Sequence, residues 1–585
     1  MVKSDTVKIE NGHLSAQCEN TKNSVLFSLD MYLLKDNRIR FRVNELNPMK
    51  ERFEVKDVII DDLTQEKFKI IKNDQTLIEL QSPLNNRVIL YLNPLKVEFY
   101  IGDYLVTSFN SKNLLKFEHL REKKEPVEGE QVEGDLWEET FKSHTDSKPN
   151  GPESIGMDIT FNDFEHVYGI PQHADSFALR STVDTDPYRL YNLDVFEYEI
   201  NNPMALYGSI PYMLAHNRNF SVGIFWLNAA ETWVDINTNF ADKGIFSKVA
   251  QFLTTSNEIP QVDTHWFSES GVIDIYVLLG PTPNDLYRQY GALTGTTQLP
   301  PLFSIAYHQC RWNYNDEDDV KNVNAGFEEH QLPMDVMWLD IEHTDGKRYF
   351  TWDPVKFPTP EKMMENLSKY GRKLVTIVDP HIKIDDNYHI YSEAKGLDLF
   401  VKDKNGKPVD GWCWPGSSSW PDFSSEKVQQ WWASKFTLDN YKGTTMDTYT
   451  WNDMNEPSMF NGPEVTFHKD AIHLNGYEHR NVHNQYGQYQ HKSTFLGHLK
   501  RAGEQTRPFI LTRSTFAGSQ RYGAVWTGDN AAEWSHLKIS IPMCLSFGVT
   551  GMTFCGSDIG GFFKNPDQEL MVRWYQAAAY QPFFR

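Results

Sequence analysis

Residues 449–457 read YTWNDMNEP, and the fold turns on how this stretch is read. An aromatic and β-branched run drives into a carboxylate, Asp453, and is followed by a polar cluster and a proline stop. This is the pattern of a barrel strand that delivers an acid to the floor of a pocket. Taken alone, Asp453 reads equally as a capping residue at the end of a buried strand. The rest of the chain decides between the two.

Working outward, apolar runs alternate with amphipathic stretches from Pro300 and Pro301 onward. In order they are LFSIAYHQC, DVMWLDIEH, KLVTIVDPHI, YTWNDMNEP, RPFILTRST, GAVWTGDN and GVTGMTFCGSD. Helical stretches are expected at 317–330, 427–436 and 485–502. Strand and helix in alternation mean a parallel sheet, and this many repeats favour a closed barrel over an open sheet. Residues 385–423 and 460–483 are too long for ordinary connections and fall where a barrel grows its active-site loops.

Upstream the texture is different. Short alternating strands such as IRFRVNEL and RVILYLNPLKVEFYI, and later YRLYNLDVFEYEI and VGIFWLNAAETWVDI, are broken by Asn, Pro and Asp, which is β-sandwich texture. Between them, residues 121–139 carry eight acids and three bases with little to bury, the composition of a solvated loop. The expected architecture is a β-sandwich over 1–282, with an acidic loop near 121–139. A (β/α)8 TIM-type barrel follows over 283–585, with insertions near 385–423 and 460–483. The chain stops at QPFFR, where an eighth strand would begin. That position is expected to leave the barrel truncated, poorly stable and nearly inactive.

The 57 basic and 79 acidic residues give a net charge of -22, which repels phosphate backbones and argues against nucleic acid as a partner. No run of eighteen apolar residues offers a membrane span, and the opening MVKSDTVKIENGHL has no signal-peptide core. Five cysteines are spread too widely for a zinc spacing, and neither a metal nor a cofactor is expected.

The strand ends share one chemistry: Asp340 and Glu342, Asp379 and His381, Asp453 and Glu456, Arg513, Asp529, then Asp558. Acids crowded on one rim repel each other unless the protein uses them. Interleaved with Trp412, Trp414, Trp451 and Trp526, they suit a neutral polyol, since carboxylates accept hydroxyl hydrogen bonds while indoles cover the C–H face of a sugar. Two carboxylates flanking a glycosidic bond are the usual machinery for breaking it.

WNDMNEP at 451–457, GAVWTGDN at 523–530, DVMWLDIEH at 335–343, GWCWPGSSSWPDF at 411–423 and TFCGSDIGGF at 553–562 resemble glycoside hydrolase family 31. More closely, EETFKSHTDSKPNGP, HVYGIPQHAD, NPMALYGS and FNGPEVTFHKDA resemble the branch of that family that trims glucose from N-glycans in the endoplasmic reticulum. A cytosolic-type neutral branch that acts on glycogen-like oligosaccharides is its near relative.

The resemblance implies a retaining exo-α-glucosidase with Asp453 as nucleophile and Asp529 as general acid/base. It implies Asp340 and Arg513 as sugar-binding residues, Asp194 and Phe196 on a loop that closes the pocket, and Trp414, Trp451 and Trp526 as its lining. Cys544 and Cys555 read by themselves as two buried thiols, and the resemblance pairs them as a disulfide. It also implies an endoplasmic-reticulum location and a regulatory β subunit as partner. A glycan-binding fragment without catalysis remains the alternative.

Overall fold

The computed structural model describes residues 1–123, 137–240, 259–503 and 506–585. Residues 124–136, most of the acidic stretch expected at 121–139, lie outside the described residues. By compactness the chain forms two units that do not follow linear order. One comprises Met1–Ile170, Ser176–Leu190 and Pro211–Gly295; the other comprises Pro171–Asp175, Tyr191–Ile210 and Thr296–Arg585.

The first unit is built, among the described residues, from an eight-stranded and a ten-stranded sheet whose strands pair antiparallel. Alternation makes the core: in the strand Leu26–Leu34, Phe27, Leu29, Met31 and Leu33 are buried while the residues between them are only half covered. Their partners in one shared apolar core include Phe41, Phe99, Phe109, Ile159 and Trp266. YRLYNLDVFEYEI departs from its expected strand character. Only Tyr188–Leu190 pairs in a sheet, and Tyr191 onward belongs to the second unit.

The second unit holds a seven-stranded parallel sheet. Its strands are β1 His308–Gln309, β2 Val336–Leu339, β3 Lys373–Ile377, β4 Thr448–Asn452, β5 Ile510–Thr512, β6 Ala524–Trp526 and β7 Cys555–Gly556. Each pairs with the next in chain order, from His308 opposite Val336 to Val525 opposite Cys555. The expected strand LFSIAYHQC shrinks to β1, because Leu302–Ile305 winds into a 3-10 turn pinned by Ser304 to the Pro301 carbonyl.

Helices α1 Glu317–Glu329, α2 Pro360–Ser368, α3 Glu426–Ser434, α4 Tyr486–Ala502, α5 Trp534–Val549 and α6 Gln568–Ala578 run between or after the strands. Asp316 and Asp567 start α1 and α6 by accepting hydrogen bonds from the backbone N–H of Asp319 and Leu570. The first insertion folds as a small antiparallel sheet of Ile382–Lys383, Gly411–Cys413 and Gly416–Ser419, with a helix at His389–Gly396.

Among the described residues no eighth strand forms, so the barrel is truncated as expected, and Phe583–Arg585 follows α6 as a short segment beside the first and last strands. The Phe583 N–H donates to the Cys555 carbonyl at 3.2 Å, and the His308 N–H donates to the Phe584 carbonyl at 3.0 Å. These bonds join β7 back to β1. The Phe583 ring lies inside the sheet among His308, Trp338, Phe509 and Phe554. β2 is buried along its whole length, as expected where both faces of a parallel sheet are covered.

Candidate active site

The parallel sheet ends every strand on one rim, so residues that follow the strands are brought together whatever their distance in sequence. Asp340 follows β2, Asp379 follows β3, Asp453 follows β4, Arg513 follows β5, Asp529 lies just beyond β6 and Asp558 just beyond β7. Asp194 comes from the 191–210 segment of the same unit.

Arg513 is the hub. Its side chain is buried, and it grips Glu456 with two parallel bonds, Nε to Oε1 at 2.8 Å and Nη2 to Oε2 at 2.9 Å. Nε also lies 3.0 Å from Asp453 Oδ1, Nη2 lies 3.3 Å from Asp194 Oδ1, and Nη1 lies 3.7 Å from Asp529 Oδ2. The aligned fork goes to Glu456, so Asp453 feels the positive charge while its oxygen stays out of that fork. The Tyr207 ring covers the guanidinium at 4.8 Å.

The backbone is shaped to make this possible. Met454 adopts a left-handed φ of 58°, unusual for a side chain of its size. That turn lets Asp453 and Glu456, three residues apart, both reach Arg513, at a cost of about 1–2 kcal/mol held by the surrounding contacts. The Asp453 N–H donates to Asp379 Oδ1 at 3.2 Å, and Asp379 accepts from the Tyr349 hydroxyl at 2.5 Å. Asp194 accepts from the Ser458 hydroxyl at 2.8 Å. Tyr207 donates to the Val195 carbonyl at 2.8 Å and accepts from the Asp529 N–H at 3.2 Å, which ties the Asp194 segment to the acid on β6.

Burial raises the proton affinity of Asp340, Asp379, Asp453, Glu456 and Asp529. Asp529 is pushed well above the carboxylate range by burial, against the pull of Arg513 and with the help of Asp453 and Asp194. Asp453 is raised by burial too, but Arg513 opposes it at closer range. Burial takes Asp340 up to about 7, against the Ile341 N–H that donates to it, and Glu456 up to about 7, against Arg513. Environments that push two carboxyls apart in this way separate an acid from a base.

Beneath the rim lies a cation the sequence reading passed over. Arg585 donates to Asp558 Oδ1 from Nη2 at 2.5 Å, and its guanidinium sits 4.8 Å from the Trp338 ring, 4.8 Å from Trp451 and 5.0 Å from Trp526. Trp451 and Trp526 pack edge to face at 5.6 Å. Trp414 and Phe196 belong to an aromatic arc that runs Phe196, Phe563, Phe562, Trp312, Trp414, Phe460, with neighbouring ring centroids 4.7 to 6.4 Å apart. Phe196 is 78% exposed.

The Cys544 and Cys555 sulfurs approach to 2.7 Å as thiols, with burial holding Cys555 well above the usual thiol range. Among the described residues no group of three or more His, Cys, Asp or Glu is arranged to hold a metal, and no helix is long and apolar enough to cross a membrane.

Tyr207, Tyr349 and Arg585 join the candidate site without having been singled out in the sequence, and Glu456, noted there as a rim acid, proves to be the partner of Arg513. Tyr207 lies in the NPMALYGS motif, and Glu456 lies in the opening stretch itself, so both had a signal. Neither local pattern says which of several acids an arginine on another strand will grip.

Fold and site together define a barrel protein with a carboxylate–guanidinium centre on its C-terminal rim. Residues 297–585 match the Glycosyl hydrolases family 31 TIM-barrel domain, and residues 28–235 match the Glycosyl hydrolase 31 N-terminal galactose mutarotase-like domain. The chain belongs to glycoside hydrolase family 31. It is 51% identical to mouse neutral alpha-glucosidase AB over 612 aligned residues, covering 99% of this chain and 65% of that protein. A crystal structure of a glucosidase II alpha subunit in its alpha3-Glc2-bound form superposes with a TM-score of 0.94 at 44% identity, covering 100% of this chain and 65% of that one. A glucosidase II heterodimeric complex of catalytic subunit and regulatory-subunit binding domain gives 0.95 at 44% identity, covering 100% and 66%. The chain thus spans about 65% of the length of the curated relatives it matches.

Proposed function

We propose that this chain carries the catalytic centre of a retaining exo-α-glucosidase that removes terminal α1,3-linked glucose from N-glycans in the lumen of the endoplasmic reticulum. A regulatory β subunit is its partner in this reading. The observation that carries the proposal is the placing of Asp453 and Asp529 about one guanidinium, at 3.0 and 3.7 Å, with different burdens of negative charge around them. The glucosidase II alpha subunit with alpha3-Glc2 bound supports the linkage, and the heterodimeric complex supports the partner.

In this mechanism Asp453 attacks the anomeric carbon as the glycosidic C–O bond breaks, while Asp529 gives its proton to the departing oxygen. Asp529, now a carboxylate, takes a proton from water. The resulting oxygen nucleophile displaces Asp453 and restores both groups. Arg513 holds Asp453 toward its ionised form before attack. Asp340 and Asp194 accept hydrogen bonds from the sugar hydroxyls, and Trp451 and Trp526 form the apolar floor.

Proton NMR of the hydrolysis of an α1,3-linked glucose disaccharide tests the proposal. The α-anomer of glucose should appear first and mutarotate later. Initial release of the β-anomer, or the absence of glucose release, would overturn it.

A further inference from the structure

Behind the site runs a chain of buried rings that the mechanism does not use. The Asp422 carboxylate meets His473 Nδ1 at 2.6 Å, His473 Nε2 meets His479 Nδ1 at 3.0 Å, and His479 Nε2 meets His483 Nδ1 at 2.7 Å. His483 Nε2 ends the chain on the Asn192 carbonyl at 2.7 Å. All four side chains are buried.

Both ends are acceptors. The Asn192 carbonyl can only accept, so His483 Nε2 carries a hydrogen. Asp422 already accepts from the Ser424 N–H and hydroxyl and from the Leu474 N–H, which marks it as a carboxylate and gives His473 Nδ1 a hydrogen as well. Each of the four junctions needs one hydrogen, and three neutral imidazoles supply only three. Without a fourth, two bare nitrogens would face each other at one ring-to-ring contact. Three rings therefore hold four protons, and the negative charge of Asp422 balances the surplus.

Burial presses the proton affinity of His479 down, and the neighbouring histidine rings, Arg480 and Lys469 add to this, which favours the surplus at the Asp422 end. The other groups packed around the rings are Tyr191 stacked on His483, Tyr486 and Phe467 against His479, and Glu478, which pairs with Arg480.

The far end of the chain reaches the substrate side. Asn192 donates its N–H to Asn484 Oδ1 at 2.9 Å and its side-chain amide to the Asn484 carbonyl at 3.0 Å and the Ser514 hydroxyl at 2.7 Å. Ser514 follows Arg513, and Asn192 lies two residues before Asp194. We propose that Asp422, His473, His479 and His483 form a four-proton wire that locks the Asn192–Asp194 segment in register, so that Asp194 meets Arg513. They are positioning residues for sugar binding. This rests on the sugar-binding role given to Asp194 above.

Neutron diffraction on deuterated crystals near neutral pD counts the protons directly. A deuteron at each of the four junctions supports the wire, and three deuterons on three rings overturn it. Kinetics with p-nitrophenyl α-glucoside test the consequence. His479→Phe fills the same space but breaks two links, and it should raise KM about tenfold while kcat changes less than about twofold. Should His479→Phe fail to fold, Asp422→Asn keeps all three rings, removes the balancing charge and should move KM the same way. If Asp194→Asn raises KM and neither wire variant does, the positioning claim is wrong and the role of Asp194 stands. If Asp194→Asn leaves KM unchanged, the role of Asp194 fails and the positioning claim with it.

Discussion

Replacing Arg513 by Met keeps an unbranched stem but removes the guanidinium, the only cation within 4 Å of Glu456 among the described residues. Glu456 is fully buried, so the variant leaves a carboxylate with no counter-charge. Breaking a buried pair from one side costs about 3–5 kcal/mol. For a unit of this size that is a fall of roughly 5–10 °C in melting temperature, read by calorimetry or near-ultraviolet circular dichroism. The pH dependence makes the test specific. Glu456 has its folded pKa raised to about 7, above its unfolded value, so its stabilising contribution is complete below about pH 4.5 and is lost as pH rises through 7. Arg513 is what limits that rise, and without it the loss continues to higher pH. The stability gap between parent and Arg513→Met should therefore widen between about pH 6 and about pH 8. Arg513→Lys restores a charge but not the fork and should recover only part of the gap. A gap under about 1 kcal/mol at pH 7.5, or one that is flat with pH, would refute the hub assigned to Arg513.

Further expectations follow from the same geometry. Asp529→Ala should cut turnover of an unactivated disaccharide by about 10²- to 10⁴-fold and that of α-glucosyl fluoride far less, because fluoride leaves without a proton; equal losses would contradict the acid role. Activity needs Asp529 protonated and so is lost as pH rises through its raised pKa. Asp194→Asn removes one of the charges that raise it, and the alkaline limb of kcat/KM should move to lower pH; a limb that stays or moves up would show that Asp194 does not act on Asp529. Arg585→Met removes the Asp558 pair and the cation among three indoles and should lower stability by about 2–4 kcal/mol, seen as an earlier tryptophan-fluorescence unfolding transition.

The barrel was legible because a parallel sheet writes itself as buried runs with polar residues at their ends. Asp340, Asp453, Arg513 and Asp529 could all be picked out that way, each from its own few residues. What could not be read was pairing. Arg513 lies 57 residues from Glu456, and no local pattern tells whether its fork goes to Glu456 or to Asp453. The same holds for Tyr207, which reaches Asp529 across 322 residues. Trp414 and Phe196 could be singled out one by one, but no local pattern announced the aromatic arc that carries both rings. YRLYNLDVFEYEI has the composition of a strand throughout, yet hydrogen bonds from Asn192 to Asn484 and Ser514 pull it away from the sheet after Leu190.

The central claim is that Asp453 is the nucleophile. Incubation with 5-fluoro-α-glucosyl fluoride, followed by peptide mass spectrometry, tests it most directly, since the fluorine slows breakdown of a glycosyl-enzyme ester. The account predicts a single fluoroglucosyl group on Asp453, within residues 449–457, and none on an Asp453→Asn variant. A label on any other carboxylate, or an intact unlabelled protein that still turns the reagent over, would contradict it.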